Sequence, residues 1–175
     1  MLFRSQLARW LGVKPDLVIG DFDSSDAPEG VQIERFPVEK DDTDTLLCLK
    51  RGLALGFDAF LIVGGFGGRL DHTISNLQTL RYAKKHFARA EMNDGATWAT
   101  VIEGETLKLS RRPGKLSVFA MDAVCAGVTI RGAKYNLENG VLTNDFPLGH
   151  GNSFAEDFAE ITVDAGAALV VTCRE

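Results

Sequence analysis

The sequence contains few of the residues that build disulfide frameworks or thiolate metal sites. Its three cysteines, Cys48, Cys125 and Cys173, are widely separated and show neither a redox spacing nor a metal-binding spacing. No apolar run approaches the roughly 20 residues that cross a membrane. The first residues also lack the apolar core of a signal peptide. We therefore expect reduced thiols and a cytoplasmic protein.

An excess of basic charge is also missing. Residues 1–90 carry 12 basic and 12 acidic side chains, whereas residues 91–175 carry 7 and 12, so the net charge is −5. An acidic surplus disfavours a nucleic-acid backbone as a partner. The composition, 45% hydrophobic and 25% charged, is ordinary for a soluble protein. A chain of 175 residues suffices for one large domain or two small ones.

The first half of the chain alternates apolar runs with helical patterns. Strands are predicted at 17–19, 31–36 and 59–63, and helices at 42–55 and at about 71–87. Strands that alternate with helices are typical of a parallel sheet covered on both faces. We therefore predict an α/β N-terminal domain with a Rossmann-like parallel sheet.

From about residue 90 the pattern changes to short β-like runs. They lie near 97–103, 106–110, 116–120, 124–130, 158–164 and 167–172. Turns are predicted at Asp94-Gly95, Pro113-Gly114 and Asn139-Gly140. This pattern predicts an all-β sandwich as the C-terminal domain. We place the domains at residues 1–91 and 92–175.

Three short polar segments stand at the ends of predicted elements. They are Gly20-Asp21-Phe22-Asp23-Ser24, Lys40-Asp41-Asp42-Thr43-Asp44 and the segment from Gly64 to His72. Taken singly, each has a structural explanation as a polar turn, a helix cap or a packing turn. All three nevertheless fall on the edge of a parallel sheet where ligands bind. Clustered carboxylates need a cation, and aspartate oxygens suit Mg²⁺, which commonly accompanies a phosphate.

The third segment has the features of an anion-binding turn. Its glycines are Gly64, Gly65, Gly67 and Gly68. Glycines let backbone N–H groups approach an anion, and the N-terminus of the following helix adds positive potential. Arg69 can pair with phosphate oxygens, and Asp71 can cap the helix or reach a metal. The segment matches neither the Walker pattern nor the dinucleotide fingerprint. Together, the three segments predict a metal–phosphate site.

The ordered motifs resemble those of the thiamine pyrophosphokinase family. The first three are Val18 to Ser24, Lys40 to Asp44, and Gly64 to His72 with Asn76; the last two are Gly132-Ala133-Lys134-Tyr135-Asn136-Leu137 and Gly151-Asn152-Ser153-Phe154. The resemblance spans about residues 13–172 in the same order. It implies a nucleotide-binding α/β domain, a thiamine-binding β-sandwich and a homodimer. Thiamine would lie between the N-terminal domain of one subunit and the C-terminal domain of the other. The reaction would convert ATP and thiamine into AMP and thiamine diphosphate.

The resemblance also implies roles for individual residues. Asp21, Asp23 and Asp44 would bind Mg²⁺ and, together with Asp71, would carry catalysis. The residues expected to contact the substrates are Gly65, Gly67, Gly68, Arg69, His72 and Asn76 on the ATP side, and Asn152 on the thiamine side. Either Asp71 or Asp44 would accept the proton of the thiamine hydroxyl.

Two departures from the family pattern keep other functions open. Family members carry a further strand and an Asp-Gly-Gly turn ahead of the segment that corresponds to Leu11, and this sequence begins after them. Gly151 stands where the family has a serine, which removes a hydroxyl contact. One alternative is an aspartate-nucleophile Mg²⁺-dependent phosphatase that uses Asp21 with Asp23 as the acid. Another is a non-catalytic homologue that binds thiamine or a nucleotide.

Overall fold

The chain divides into two units, residues 1–94 and residues 95–175. The structure is a computed structural model that describes residues 12–20, 30–35 and 42–174. Within these ranges, no helix combines the length and the apolar character that a membrane span requires. Cys48 and Cys125 are buried and Cys173 is half-buried.

The first unit pairs its described strands in parallel. Its elements are β1 (Leu17–Gly20), β2 (Gln32–Arg35), α1 (Asp44–Ala54), β3 (Ala59–Val63), α2 (Leu70–Lys85) and β4 (Arg89–Asn93). β1 pairs with β2, and β3 pairs with β4. Parallel neighbours require a crossover, which α2 provides between β3 and β4. Strand β4, in which buried Ala90 and Met92 alternate with more exposed residues, is not among the strands predicted from the sequence.

Both helices begin and end close to the predicted residues because their capping signals are local. The Thr43 hydroxyl accepts a hydrogen bond from the Leu46 N–H at 3.3 Å and caps α1. Helix α2 ends in a Schellman motif, in which the Ala88 N–H donates to the Ala83 carbonyl and the Phe87 N–H donates to the Lys84 carbonyl. Phe87 takes the left-handed position of this motif, with φ of +59°, although that position favours glycine.

We expect Phe87→Gly to stabilise the protein by about 0.5–1 kcal/mol. The Phe87 side chain is 97% exposed, so its removal costs almost no apolar burial, whereas glycine relieves the left-handed strain. Phe57→Gly serves as a control, because Phe57 is also exposed but has no positive φ. Urea denaturation should show a higher midpoint for Phe87→Gly alone. An unchanged midpoint would contradict the assigned strain.

The second unit is β-rich and antiparallel, and it is organised around one long strand. Its elements are β5 (Thr97–Ser110), β6 (Lys115–Ala120), β7 (Val124–Arg131), β8 (Leu137–Thr143) and β9 (Phe158–Cys173). β5 pairs with β9 from end to end, while β6 and β7 share the opposite edge of β9. β8 completes a hairpin with β7.

Two glycines explain why the predicted strand breaks in this unit were wrong. The runs predicted at 97–103 and 106–110 form the single strand β5, with a register shift at Gly104. The runs predicted at 158–164 and 167–172 form the single strand β9, which contains Gly166. Positive φ angles at both glycines allow a bulge or a bend without ending the strand.

The turn predicted at Asn139-Gly140 is also wrong, whereas the turn at Pro113-Gly114 separates β5 from β6 as predicted. Asn139 and Gly140 lie inside β8, and Gly140 pairs with Val128. Asn139 has φ of +47°, and its N–H donates to the Thr129 hydroxyl at 3.1 Å. Asparagine tolerates this conformation, so the pair forms an irregularity in the hairpin.

All five strands of the second unit contribute to one core. Its members include Trp98, Ile102, Leu109, Leu116, Val118, Cys125, Val128, Leu142, Ile161, Val163 and Val170. Burial of these apolar side chains provides the main driving force for folding of this unit. The core fixes the strands from which the loops described below project.

Candidate functional site

The first predicted pair of metal ligands, Asp21 and Asp23, lies outside the described residues, as do Lys40 and Asp41. Strand β1 ends at Gly20, so both acids follow it directly in sequence. In the ranges that the structure describes, no group of three histidine, cysteine or acidic side chains is arranged to hold a metal. The magnesium site therefore stays a prediction.

The second acidic segment begins helix α1, where its two described acids have different environments. Asp42 accepts two hydrogen bonds from Lys50 Nζ, at 2.8 and 2.7 Å. The contact is a salt bridge, and its hydrogen bonding raises the pKa of Lys50. Asp44 is the first residue of α1, where the positive end of the helix favours a carboxylate. Asp42 thus anchors the turn, and Asp44 stays the metal candidate.

A second ion pair fixes helix α1 against the neighbouring strand. Arg51 donates from Nε at 2.9 Å and from Nη2 at 2.7 Å to Glu34 Oε1. Glu34 lies on β2 and Arg51 lies in the last turn of α1. The contact joins elements on either side of the acidic segment and limits how α1, and hence Asp44, can shift.

The glycine segment forms a turn whose shape depends on glycine. Gly64, Gly67 and Gly68 have φ angles of +73°, +82° and +67°. Gly65 is buried, and a Cβ there would overlap the Met92 sulfur. The turn therefore needs glycine for two reasons. Its left-handed backbone angles are unfavourable for other residues, and at Gly65 the turn passes too close to Met92 of β4 for a side chain to fit.

Asn76 connects the glycine turn to helix α2. Its side chain is buried in the helix, and its Nδ2 donates to the Gly65 carbonyl oxygen at 2.8 Å. The family resemblance implies that Asn76 contacts the nucleotide. The structure instead directs the Asn76 amide to the backbone of the turn, where it can position the turn's N–H groups.

Arg69, Asp71 and His72 stand at the exposed start of α2. Arg69 donates from Nε to Asp71 Oδ1 at 3.1 Å and from Nη2 to Asp71 Oδ2. The His72 backbone N–H also donates to Asp71 Oδ1, at 2.9 Å. Hydrogen bonding to Arg69 lowers the pKa of Asp71 and raises the pKa of Arg69. The structure thus brings the predicted arginine and aspartate together beside the glycine turn.

Asn152, the residue predicted on the thiamine side, is buried in the second unit and engaged with the backbone. Its Oδ1 accepts from the Tyr135 N–H at 3.0 Å and from the Ser153 N–H at 2.9 Å, and its Nδ2 donates to the Tyr135 carbonyl at 2.7 Å. Two hydrogen bonds occupy the oxygen, so a ligand could use only the remaining amide hydrogen. The Asn152 side chain therefore holds the Tyr135 backbone against the turn at 151–154.

Further backbone bonds hold the loop at 132–136 against the turn at 151–154. The Lys134 N–H donates to the Ser153 carbonyl at 2.8 Å, and the Ala155 N–H donates to the Gly132 carbonyl at 2.9 Å. The Tyr135 ring nevertheless stays 65% exposed, with Lys134 Nζ 5.4 Å from its centroid. An exposed aromatic ring on a fixed loop can stack against a flat aromatic ligand.

Tyr135 belongs to a family motif but is not among the site residues predicted from the sequence. The available signal was a large aromatic residue in a polar stretch between two strands. Gly151, where the family has serine, has φ of +75° and donates its N–H to the Ser117 hydroxyl at 3.0 Å. A glycine suits this left-handed position, so the departure matches the local backbone.

Each half of the chain matches a known family model. Residues 4–92 match the model of the thiamin pyrophosphokinase catalytic domain, and residues 105–168 match the model of the thiamin pyrophosphokinase vitamin B1 binding domain. The chain belongs to the thiamin pyrophosphokinase family. The family predicted from the sequence motifs is thereby confirmed, and the phosphatase alternative is not favoured.

Individual thiamin pyrophosphokinases show the extent of the likeness. Thiamine pyrophosphokinase of Bacillus subtilis (strain 168) is 28% identical over 141 residues, which cover 75% of this chain and 66% of that protein. The matched part thus spans just under two thirds of the length of this relative.

Solved structures of the family share the fold at low identity. The enzyme from Bacillus subtilis superposes with a TM-score of 0.89 at 20% identity, covering 99% of this chain and 86% of that chain. The Geobacillus thermodenitrificans structure gives 0.85 at 22% identity, with coverages of 99% and 85%. Yeast thiamin pyrophosphokinase gives 0.74 at 15% identity, with coverages of 98% and 73%. The chain therefore has the thiamin pyrophosphokinase fold.

Proposed function

We propose that this protein transfers a pyrophosphoryl group from ATP to the hydroxyl of thiamine, giving thiamine diphosphate and AMP. The observation that carries the proposal is the presence of both family domains in one chain, at residues 4–92 and 105–168. The hydroxyl oxygen of thiamine would bond to the β-phosphorus of ATP as the bond to the departing AMP oxygen breaks. The hydroxyl proton would pass to a nearby carboxylate.

We assign ATP and metal binding to an N-terminal domain, residues 1–91, and thiamine binding to a C-terminal domain, residues 92–175. Parallel pairing of β1 with β2 and of β3 with β4 supports a Rossmann-like first domain. The bends at Gly104 and Gly166 support a sandwich in the second domain, because they let connected strands close over the shared core.

The triphosphate of ATP is proposed to bind at the glycine turn and the start of α2. The residues assigned to it are Gly65, Gly67, Gly68, Arg69 and His72, with Asn76 shaping the turn. Backbone N–H groups at the start of a 16-residue helix favour an anion, and the Arg69 guanidinium adds a full charge. Placement and electrostatic stabilisation by such groups supply most of the rate in phosphoryl transfer.

The donor set of the acidic segments fits Mg²⁺. Aspartate oxygens are the hard donors that this ion prefers. Asp42 is engaged by Lys50, whereas Asp44 is the first residue of α1. We propose that Asp21, Asp23 and Asp44 hold it. Bound there, Mg²⁺ would offset the negative charge of the phosphate oxygens.

Thiamine is proposed to bind beside the loop that Asn152 holds in place. Thiamine contains aromatic rings, and the exposed Tyr135 offers a ring against which one of them can stack. We further propose a homodimer with a cytoplasmic location, as the family resemblance implies. Light scattering of the purified protein should give twice the chain mass of 19.0 kDa.

Product analysis tests the proposed reaction. The protein is incubated with ATP, MgCl₂ and thiamine, and the nucleotide and thiamine products are separated by chromatography. Equal amounts of AMP and thiamine diphosphate would support the transfer. ADP or inorganic phosphate without thiamine diphosphate would contradict it. Binding of both substrates without turnover would identify a non-catalytic homologue.

Asn76→Ala should weaken ATP binding by about tenfold. The substitution removes the hydrogen bond to Gly65 and frees the turn that presents N–H groups to the phosphates. Thr79→Val is a matched control on the same helix, because Thr79 is buried and donates only to the Ser75 carbonyl of α2. Calorimetric titration with ATP should separate the two variants. Equal affinities would contradict the positioning role of Asn76.

A further inference from the structure

The ion pair at the start of α2 has a geometry that separates the roles of its two members. Both carboxylate oxygens of Asp71 face the Nε–Nη2 edge of Arg69, which is the bidentate arrangement of guanidinium and carboxylate. Asp71 Oδ1 also accepts the His72 N–H at 2.9 Å. The helix backbone thus fixes the carboxylate, and the carboxylate fixes the guanidinium.

We propose that Asp71 is a positioning residue for Arg69 and that it does not accept the proton of the thiamine hydroxyl. The inference rests on the proposed function and assigns roles within that site. With its Nε edge held by Asp71, Arg69 keeps the Nη1 group and the outer hydrogen of Nη2 for the oxygens of a nucleotide phosphate.

The conformational freedom of an exposed arginine side chain explains why Arg69 needs such a partner. The two side chains are 75% and 62% exposed, so an arginine at this position without a partner would sample many rotamers. Immobilising a long side chain on binding costs conformational entropy. Asp71 lowers this entropic cost of binding, because it restrains the guanidinium before the nucleotide arrives. The Arg69 guanidinium stays positively charged in this pair, because arginine does not lose its proton in proteins.

The same contacts make Asp71 a poor base. The hydrogen bonds from Arg69 lower the pKa of the Asp71 carboxyl, and a weaker base takes up a proton less readily. Protonation would also break the bidentate contact with Arg69.

The test compares Asp71→Asn with Arg69→Met and with the double variant. Asparagine keeps the shape of the side chain and an acceptor for the His72 N–H but removes the charge that holds Arg69. We expect Asp71→Asn to raise both the Kd for ATP, measured without thiamine, and the KM for ATP by about tenfold. We expect kcat to change by less than about threefold and the acidic limb of its pH profile to stay in place.

The double variant reports the coupling directly. In the Arg69→Met background, Asp71→Asn should produce no further loss of ATP affinity, because the group that Asp71 positions is already gone. Glu138→Gln is the matched control, since it breaks another exposed arginine–carboxylate pair, Arg131–Glu138, in the second unit. That control should leave ATP affinity unchanged. Loss of an exposed ion pair has little effect on stability, so all variants should fold.

Two outcomes would overturn the inference. One is a fall in kcat of about a hundredfold or more in Asp71→Asn with unchanged ATP affinity, which is the behaviour of a proton acceptor. The other is an additive loss of affinity in the double variant. Failure of the proposed function is distinguishable, because it would appear as absence of thiamine diphosphate while ATP binding still depended on Asp71 and Arg69 together.

Discussion

Asp23→Asn is expected to lower turnover by about 10²–10³-fold while leaving the fold intact. The proposed site holds its cation with carboxylates from separate segments, and asparagine removes one negative charge without changing the size of the side chain. ATP binding should become less dependent on Mg²⁺ in the variant. Product analysis at several MgCl₂ concentrations provides the measurement.

Asp58→Asn is the matched control for this experiment. Asp58 lies in the same unit, in the exposed loop between α1 and β3, and outside all five motifs. The identical chemical change there should leave turnover within about twofold, since surface substitutions have small effects. If Asp23→Asn retained the activity of Asp58→Asn, the assignment of Asp23 to the metal site would be wrong.

Gly132→Ala is expected to destabilise the second unit by about 3 kcal/mol. Gly132 has φ of +74°, and an added Cβ would overlap the carbonyl oxygen of Phe158 at the start of the central strand β9. The overlap involves backbone and cannot be relieved by rotating a side chain. Because the loop with Tyr135 begins at this glycine, thiamine binding should be lost as well.

Gly151→Ala is the control that separates the effect of the steric overlap with Phe158 from the effect of the left-handed backbone conformation. Gly151 has nearly the same φ, +75°, but no atom lies within 4 Å of the position that its Cβ would take. The control should therefore lose only about 1 kcal/mol, the cost of placing alanine in the left-handed region. Guanidinium denaturation of both variants measures the difference. Equal midpoints would show that the contact with Phe158 does not constrain Gly132.

The two helices were predictable because their signals lie in neighbouring residues. Thr43 caps α1 through a bond to a residue three positions on, and the predicted and observed ends of both helices differ by at most two residues. The β-rich half was less predictable. The sequence predicts strand breaks around Gly104 and Gly166, yet pairing between β5 and β9 continues past both, because long-range hydrogen bonds outweigh a local bulge.

In the candidate site, too, features that depend on neighbouring residues were predictable and contacts between distant residues were not. The order of the motifs along the chain was enough to predict the family. The partners of the polar side chains were not predictable. Asp42 pairs with Lys50, and Asn152 holds Tyr135, across eight and 17 positions of sequence respectively. These pairings show that Asp42 and Asn152 hold local structure in place.

The sequence by itself determined the family, the helices and the set of acids and glycines around which the proposed site is built. Those features depend on residue type and on spacing along the chain. Only the tertiary structure decided that Asn76 points to the Gly65 carbonyl and that strand β8 runs through a predicted turn. Such choices depend on which distant groups are brought within hydrogen-bond distance when the core packs, and spacing along the chain does not specify them.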